Sequence, residues 1–170
     1  MKALVTIDDS ELSLSILRAA RRLTRLVPSA EIHLLTVMDP RQARGMLAGS
    51  TEVSHGAAGT VAVSSPAPSV VESHGEALER LERENQARLR DLAVQNFPGG
   101  DWTCHTRWAR DAAETIVRVA NDLDVDIIVM ATHGRSGVSN LVAGSVTQAV
   151  IRQSGRPVLV QCPGPDDDED

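Results

Sequence analysis

Apolar and polar positions along the chain follow two alternating rhythms. Residues 2–7 (KALVTI) form a short apolar run that stops at Asp8-Asp9-Ser10. Its length and composition predict a buried parallel strand. Ser10 has the character of an N-cap, and Leu12, Ile16, Ala19, Ala20, Leu23 and Leu26 follow at helical spacing until Pro28-Ser29. Residues 31–38 (EIHLLTVM) predict a second strand, stopped by Asp39-Pro40. Residues 41–70 have no period and are rich in Gly, Ser, Ala and Pro, which predicts a long, mobile loop. A helix is expected from about Glu72 to Asn96, with Leu78, Leu81, Leu89 and Leu92 on one face and charge pairs outside. Residues 102–108 (WTCHTRW) alternate, as a strand near a sheet edge would. Asp111-x-x-Glu114 is a capping box opening a helix with Ile116, Val117, Ala120 and Leu123 inside. Residues 126–131 (DIIVMA) are the most apolar run and predict a central strand. A glycine-bearing loop runs from Thr132 to Ala143, Ser145-x-x-Gln148 looks like another capping box, and residues 157–160 form a last short strand.

Strand and helix therefore alternate, which calls for a parallel sheet covered on both faces and joined by right-handed crossovers. In such sheets ligands sit beyond the carboxyl ends of the strands, where the strand order reverses. That rule selects Asp8-Asp9-Ser10, Val37-Met38-Asp39 and the loop after Met130 before any chemistry is considered.

Composition narrows the picture. The chain has 170 residues, enough for one domain with a full core, and 42% are hydrophobic. Aromatic content is only 2% (Phe97, Trp102 and Trp108), so the core is built from Ala, Val, Leu and Ile, and base stacking on aromatic platforms is excluded. Residues 163–170 are read as a disordered acidic tail, and five of the 23 acids lie in it at 166–170; this leaves 18 acids against 17 bases and no basic field for nucleic acid. Lys2 is the only lysine, which removes Schiff-base chemistry and a Walker lysine. Cys104 and Cys162 are too few and too far apart for a disulfide framework or a zinc site, and no histidines have metal-ligand spacing. No leader-like or membrane-spanning run is visible, so the expectation is a cytoplasmic protein with no membrane partner.

The loop after Met130 carries the most chemistry. Gly134, Gly137 and Gly144 free the backbone to turn its amides inward, and the amides of Gly144, Ser145 and Val146 lie at a helix N-terminus, where an anion is favoured. The same residues equally describe a plain connector ending in an ordinary capped helix. Asp8 is either a ligand-facing acid at the switch point or a residue that orients its own turn. Arg135 either touches a phosphate or is solvated. His133 has no visible orienter or nucleophile beside it, and His33 and His105 read as structural strand residues.

Several of these motifs together resemble the universal stress protein family. They are residues 130–137 (MATHGRSG), Gly144-Ser145-Val146, residues 157–160 (PVLV), the strand ending in Ile7-Asp8-Asp9-Ser10, and the helix start at residues 111–114 (DAAE). The resemblance spans residues 1–162 apart from 41–70. The nucleotide-binding branch carries Gly, two residues, Gly, nine residues, then Gly-Ser or Gly-Thr. Here the second and third glycines are Gly134 and Gly144, with Ser145 following, while the first falls on Ala131. The Ala131 methyl group sits where the family lets ligand approach backbone. Arg110 is a second departure, standing where relatives often have glycine.

The resemblance implies a single-domain, Rossmann-like α/β fold: an open parallel five-stranded sheet of order 3-2-1-4-5 with helices on both faces. It implies ATP across the strand ends, with or without a divalent ion such as magnesium or manganese. Thr6, Ile7 and Asp8 would line the adenosine side, Val37 would meet adenine through its backbone, and Met130 and Ala131 would flank the nucleoside. Gly134, Gly144, Ser145 and Val146 would hold the phosphates. It also implies a homodimer in which the strand around Val158–Val160 pairs with its copy, solving the problem of an exposed apolar edge. The expected function is that of an ATP-binding, dimeric regulatory protein of the stress response. The alternatives are a nucleotide-independent dimeric scaffold of the same fold, or slow ATP hydrolysis, for which no base–nucleophile pair is visible.

Overall fold

The computed structural model describes residues 1–8, 12–41, 73–132 and 144–162. Ser10, most of the 41–70 segment, His133, Gly134, Arg135 and the acidic tail lie outside the described residues. Five strands, β1 (Lys2–Thr6), β2 (Glu31–Met38), β3 (Asp101–Trp108), β4 (Ile127–Ala131) and β5 (Val158–Gln161), form one parallel sheet of order β3-β2-β1-β4-β5. Among the described residues, helices α1 (Leu12–Leu26), α2 (His74–Asn96), α3 (Ala112–Asp122) and α4 (Ser145–Gln153) accompany them.

The apolar runs of β1, β2 and β4 reflect burial on both faces. Alternate residues go to opposite sides. Ala3, Val5, Ile32, Leu34 and Val129 pack with Ile16, Leu17 and Ala20 of α1 and with Leu89 and Ala93 of α2. Leu4, Leu35, Ile128 and Met130 pack with Ile116, Val119 and Ala120 of α3 and with Val150 of α4. Leaving β1, the chain moves outward through β2 to β3; it then crosses back to β4 on the other side of β1 and on to β5. The strand order reverses between β1 and β4, and a crevice opens there.

Local chemistry fixes the ends of the elements. α2 starts at His74 rather than Glu72 because Ser73 caps it: Glu76 N–H donates to Ser73 Oγ at 3.3 Å, and Ser73 N–H donates to Glu76 Oε2 at 2.8 Å. Asp111 caps α3, accepting from Glu114 N–H at 2.9 Å. Beyond α3, Asp124 takes the left-handed conformation (φ 50°). Arg156 braces that turn through Asn121 Oδ1 at 3.3 Å, Asp124 Oδ1 at 3.1 Å and the Val125 carbonyl.

The packing of α2 has one polar layer. Ala77, Leu81, Leu89 and Ala93 are its buried positions, and Asn85 falls on the same i,i+4 stripe. Leu81 meets Met38 and Trp108, while Leu89 and Ala93 join the cluster containing Leu34 and Cys104. The rung between those levels is Thr36–Thr106, register partners on β2 and β3. The Oγ1 atoms of both threonines and Oδ1 of Asn85 are buried and make no hydrogen bond among the described residues. On the other face of the same strands, His33 Nδ1 and His105 Nε2 lie 3.1 Å apart, with His33 Nε2 3.1 Å from Glu31 Oε1. Burial, aided by His33 and Arg107, pushes the His105 pKa down. Both histidines serve the β2–β3 edge, away from the crevice.

Candidate nucleotide site

A cavity of about 240 Å³ occupies the crevice. The carboxyl ends of β1, β2 and β4 and the first turns of α3 and α4 surround it. Nine residues singled out in the sequence line it together: Thr6, Ile7, Asp8, Val37, Met130, Ala131, Gly144, Ser145 and Val146. Gly134 and Arg135 lie outside the described residues. Four further lining residues, Leu35, Ala112, Ile116 and Thr147, were not singled out. Leu35 and Ile116 carry the pattern of ordinary core positions, and Ala112 and Thr147 become visible only once two helix starts converge.

Chemistry is graded across the cavity. Ile7, Leu35, Ile116 and Met130 are buried and form an apolar interior, whereas Asp8, Ser145 and Val146 are exposed at its rim. A largely apolar pocket with a few polar groups at the edge suits a flat heterocycle inside and charge outside. Asp39, two residues beyond Val37, is held at a pKa of about 2 by hydrogen bonds from the Arg41 side chain and backbone, and stays ionised. Arg110 is exposed and adds to the positive field on Asp39.

The two helix N-termini at the cavity differ. α3 has the Asp111 carboxylate on its first turn and Glu114 close behind, so its positive end is already answered. α4 has no acidic residue in its first turn and, among the described residues, no side-chain cap. The sequence pattern placed a capping box at Ser145-x-x-Gln148; in the structure Gly144 is the N-cap and Ser145 is the first helical residue. The Gly144 amide is also not a free donor, because it donates to Thr132 Oγ1 at 3.1 Å. Thr132 is buried, and its own N–H donates to the Gln161 carbonyl at 3.0 Å, so the hydroxyl is well anchored. The first intrahelical bond is Gln148 N–H to the Gly144 carbonyl, at 2.9 Å. The first-turn amides remaining for an anion are those of Ser145, Val146 and Thr147, with the Ser145 hydroxyl beside them.

Gly144 itself has an ordinary backbone, φ −54° and ψ 158°, and a Cβ built on it meets no described atom within 4 Å. Neither backbone strain nor packing among the described residues calls for glycine there. Both cysteines are free thiols, and burial raises the pKa of Cys104. Among the described residues no group of three or more His, Cys, Asp or Glu could hold a metal ion, and no helix is long and apolar enough to cross a membrane.

Known proteins place this arrangement. Universal stress protein MJ0577 of Methanocaldococcus jannaschii is 49% identical over 47 residues, 28% of this chain and 29% of that relative. The matched stretches span less than half the length of both this relative and a second, Universal stress protein MJ0531 of the same organism (48%). The solved structure of the MJ0577 protein superposes with a TM-score of 0.69 at 25% identity, covering 97% of each chain. A universal stress protein from Archaeoglobus fulgidus in complex with dAMP superposes at 0.55 with 18% identity, covering 94% of this chain and 96% of that one. A universal stress protein in complex with cAMP superposes at 0.54 with 18% identity, covering 95% of this chain and 96% of that one. The universal stress protein family model matches residues 1–161, and the chain belongs to that family.

Proposed function

We propose that the cavity binds ATP and that the protein acts as a nucleotide-responsive, dimeric regulator of the stress response. The adenine ring occupies the apolar interior between Val37 and Met130, and Asp8 faces the ribose. The phosphates lie against the amides of Ser145, Val146 and Thr147. Two structural neighbours in complex with adenine nucleotides support this assignment. The observation that carries it is the contrast between the two helix ends: among the described residues no side chain caps α4, which is preceded by a glycine that its own backbone does not require, whereas α3 is already capped by a carboxylate. Of the positive helix ends lining the cavity, the one at α4 is open to a polyanion. A divalent ion, magnesium or manganese, would sit among the phosphates rather than in a protein cage.

Calorimetric titration tests this directly. ATP should bind saturably, one per chain, and at least about tenfold more tightly than adenosine, since even one charged hydrogen bond to phosphate is worth that much. Ala131→Gly should tighten ATP binding by letting ligand approach the backbone more closely where residue 131 lines the cavity. A folded protein that binds no adenine nucleotide would refute the assignment.

Dimer formation belongs to the same proposal. β5 is an edge strand, and Leu159 on it and Ile151 on α4 are 38% and 48% exposed. An apolar edge of this kind invites pairing, and a two-fold copy satisfies it. Sedimentation should show a dimer for the native chain and a monomer for Leu159→Asp. A monomeric native chain, or a Leu159→Asp variant that remains dimeric, would place the interface elsewhere or remove it.

A further inference from the structure

One contact to the crevice comes from an element that contributes no residue to the cavity wall. β1 ends at Thr6, and among the described residues the bond from Ile7 N–H to the Leu35 carbonyl (2.9 Å) is the last backbone bond from this stretch to β2. The next residue, Asp8, has left the ladder, yet it lines the cavity with its side chain exposed at the rim. Its carbonyl oxygen accepts a hydrogen bond from Arg88 Nη2 at 3.3 Å, eighty residues away on α2. Arg88 is half-buried and precedes Leu89, which is sealed in the core with Ile32, Leu34 and Ala93. The half-buried arm leaves α2 beside this core position and reaches the backbone just beyond the end of the β1 ladder.

We infer that Arg88 is a positioning residue of the nucleotide site, fixing the Asp8 main chain so that the Asp8 carboxylate is presented to the ribose. This rests on the nucleotide reading of the cavity. Arg88 touches no ligand in this arrangement; it acts through Asp8. It brings a positive charge to the β1 end, where an acid and a polyanion would otherwise face each other. It also ties α2 to the occupancy of a site to which that helix supplies no wall.

A double-mutant cycle on the full chain, read by ATP titration with thermal unfolding alongside, separates this role from a structural one. Arg88→Ala should weaken ATP binding roughly tenfold, the scale of one charged hydrogen bond. Arg88→Lys should recover most of the loss. In the Asp8→Ala background, removing Arg88 should cost nothing further, because the carboxylate it positions is gone. Equal losses in both backgrounds, no loss in Arg88→Ala, or a loss that Arg88→Lys leaves unrepaired would overturn the inference while leaving the nucleotide site intact. A native chain that binds no ATP would overturn the nucleotide reading and this inference with it.

Discussion

Gly144→Val is expected to lower ATP affinity by at least about 100-fold while the protein stays folded. Gly144 has a backbone conformation open to any L-residue, and a Cβ at that position meets no described atom within 4 Å. The branched side chain would nevertheless project where Gly144 lines the cavity, beside the exposed start of α4. Phosphate could then no longer reach the amides of Ser145 and Val146. Two hydrogen bonds to a charged acceptor are worth about 1.5–3 kcal/mol each, so their joint loss is roughly 3 kcal/mol or more, two decades in Kd. On the stability side the cost is that of a poorer N-cap residue, about 1 kcal/mol or less. The Thr132 hydroxyl bond to the residue 144 amide is kept, because it uses backbone on one side only. Calorimetry and a melting curve on the same sample check both halves. Unchanged affinity would move the phosphates away from α4; lost affinity with an unfolded chain would show instead that the glycine is structural.

The sequence carried the sheet well because burial on both faces writes itself as short, near-continuous apolar runs. Those of 31–38 and 126–131 are observed as strands at Glu31–Met38 and Ile127–Ala131. The strand ends follow from the same pattern, and with the topological switch they select the crevice. What the pattern could not show was anything fixed by partners distant in sequence. Ser145 looks like an N-cap by spacing, but Thr132 reaches across twelve residues to hold the Gly144 amide, and the helix starts at Ser145, one residue earlier than that cap would give. Leu35 and Ile116 are both core and cavity wall, and periodicity gives these two roles one signature. The Arg88 contact to Asp8 joins a helix and a strand end eighty residues apart. Nor does any local rule foresee that the hydroxyls of the register partners Thr36 and Thr106 and the Oδ1 of Asn85 are all buried, since each is an ordinary residue for its own helix or strand.

Leu35→Ala is expected to lower the stability by about 3 kcal/mol, and to separate the cavity's two roles as core and as binding site. Leu35 is 0% exposed, packs in the cluster with Leu4, Ile116, Ile128 and Val150, and forms part of the cavity wall. Truncating a buried leucine costs about 3–5 kcal/mol, the lower end where the void opens onto existing space. That is a fall in Tm of roughly 6–12 °C for a chain of this size. Leu4→Ala provides the matched control: Leu4 is also 0% exposed and lies in the same cluster, but it does not line the cavity. Ligand restores stability in proportion to its remaining affinity, about 2.7 kcal/mol at one hundred times Kd. At one fixed ATP concentration, Leu4→Ala should be stabilised by nucleotide as much as the native chain is. Leu35→Ala should be stabilised less, because the ring has lost the wall it packs on. Equal restoration in both variants would mean that the adenine ring does not reach Leu35, and that the apolar interior of the cavity belongs to the core alone.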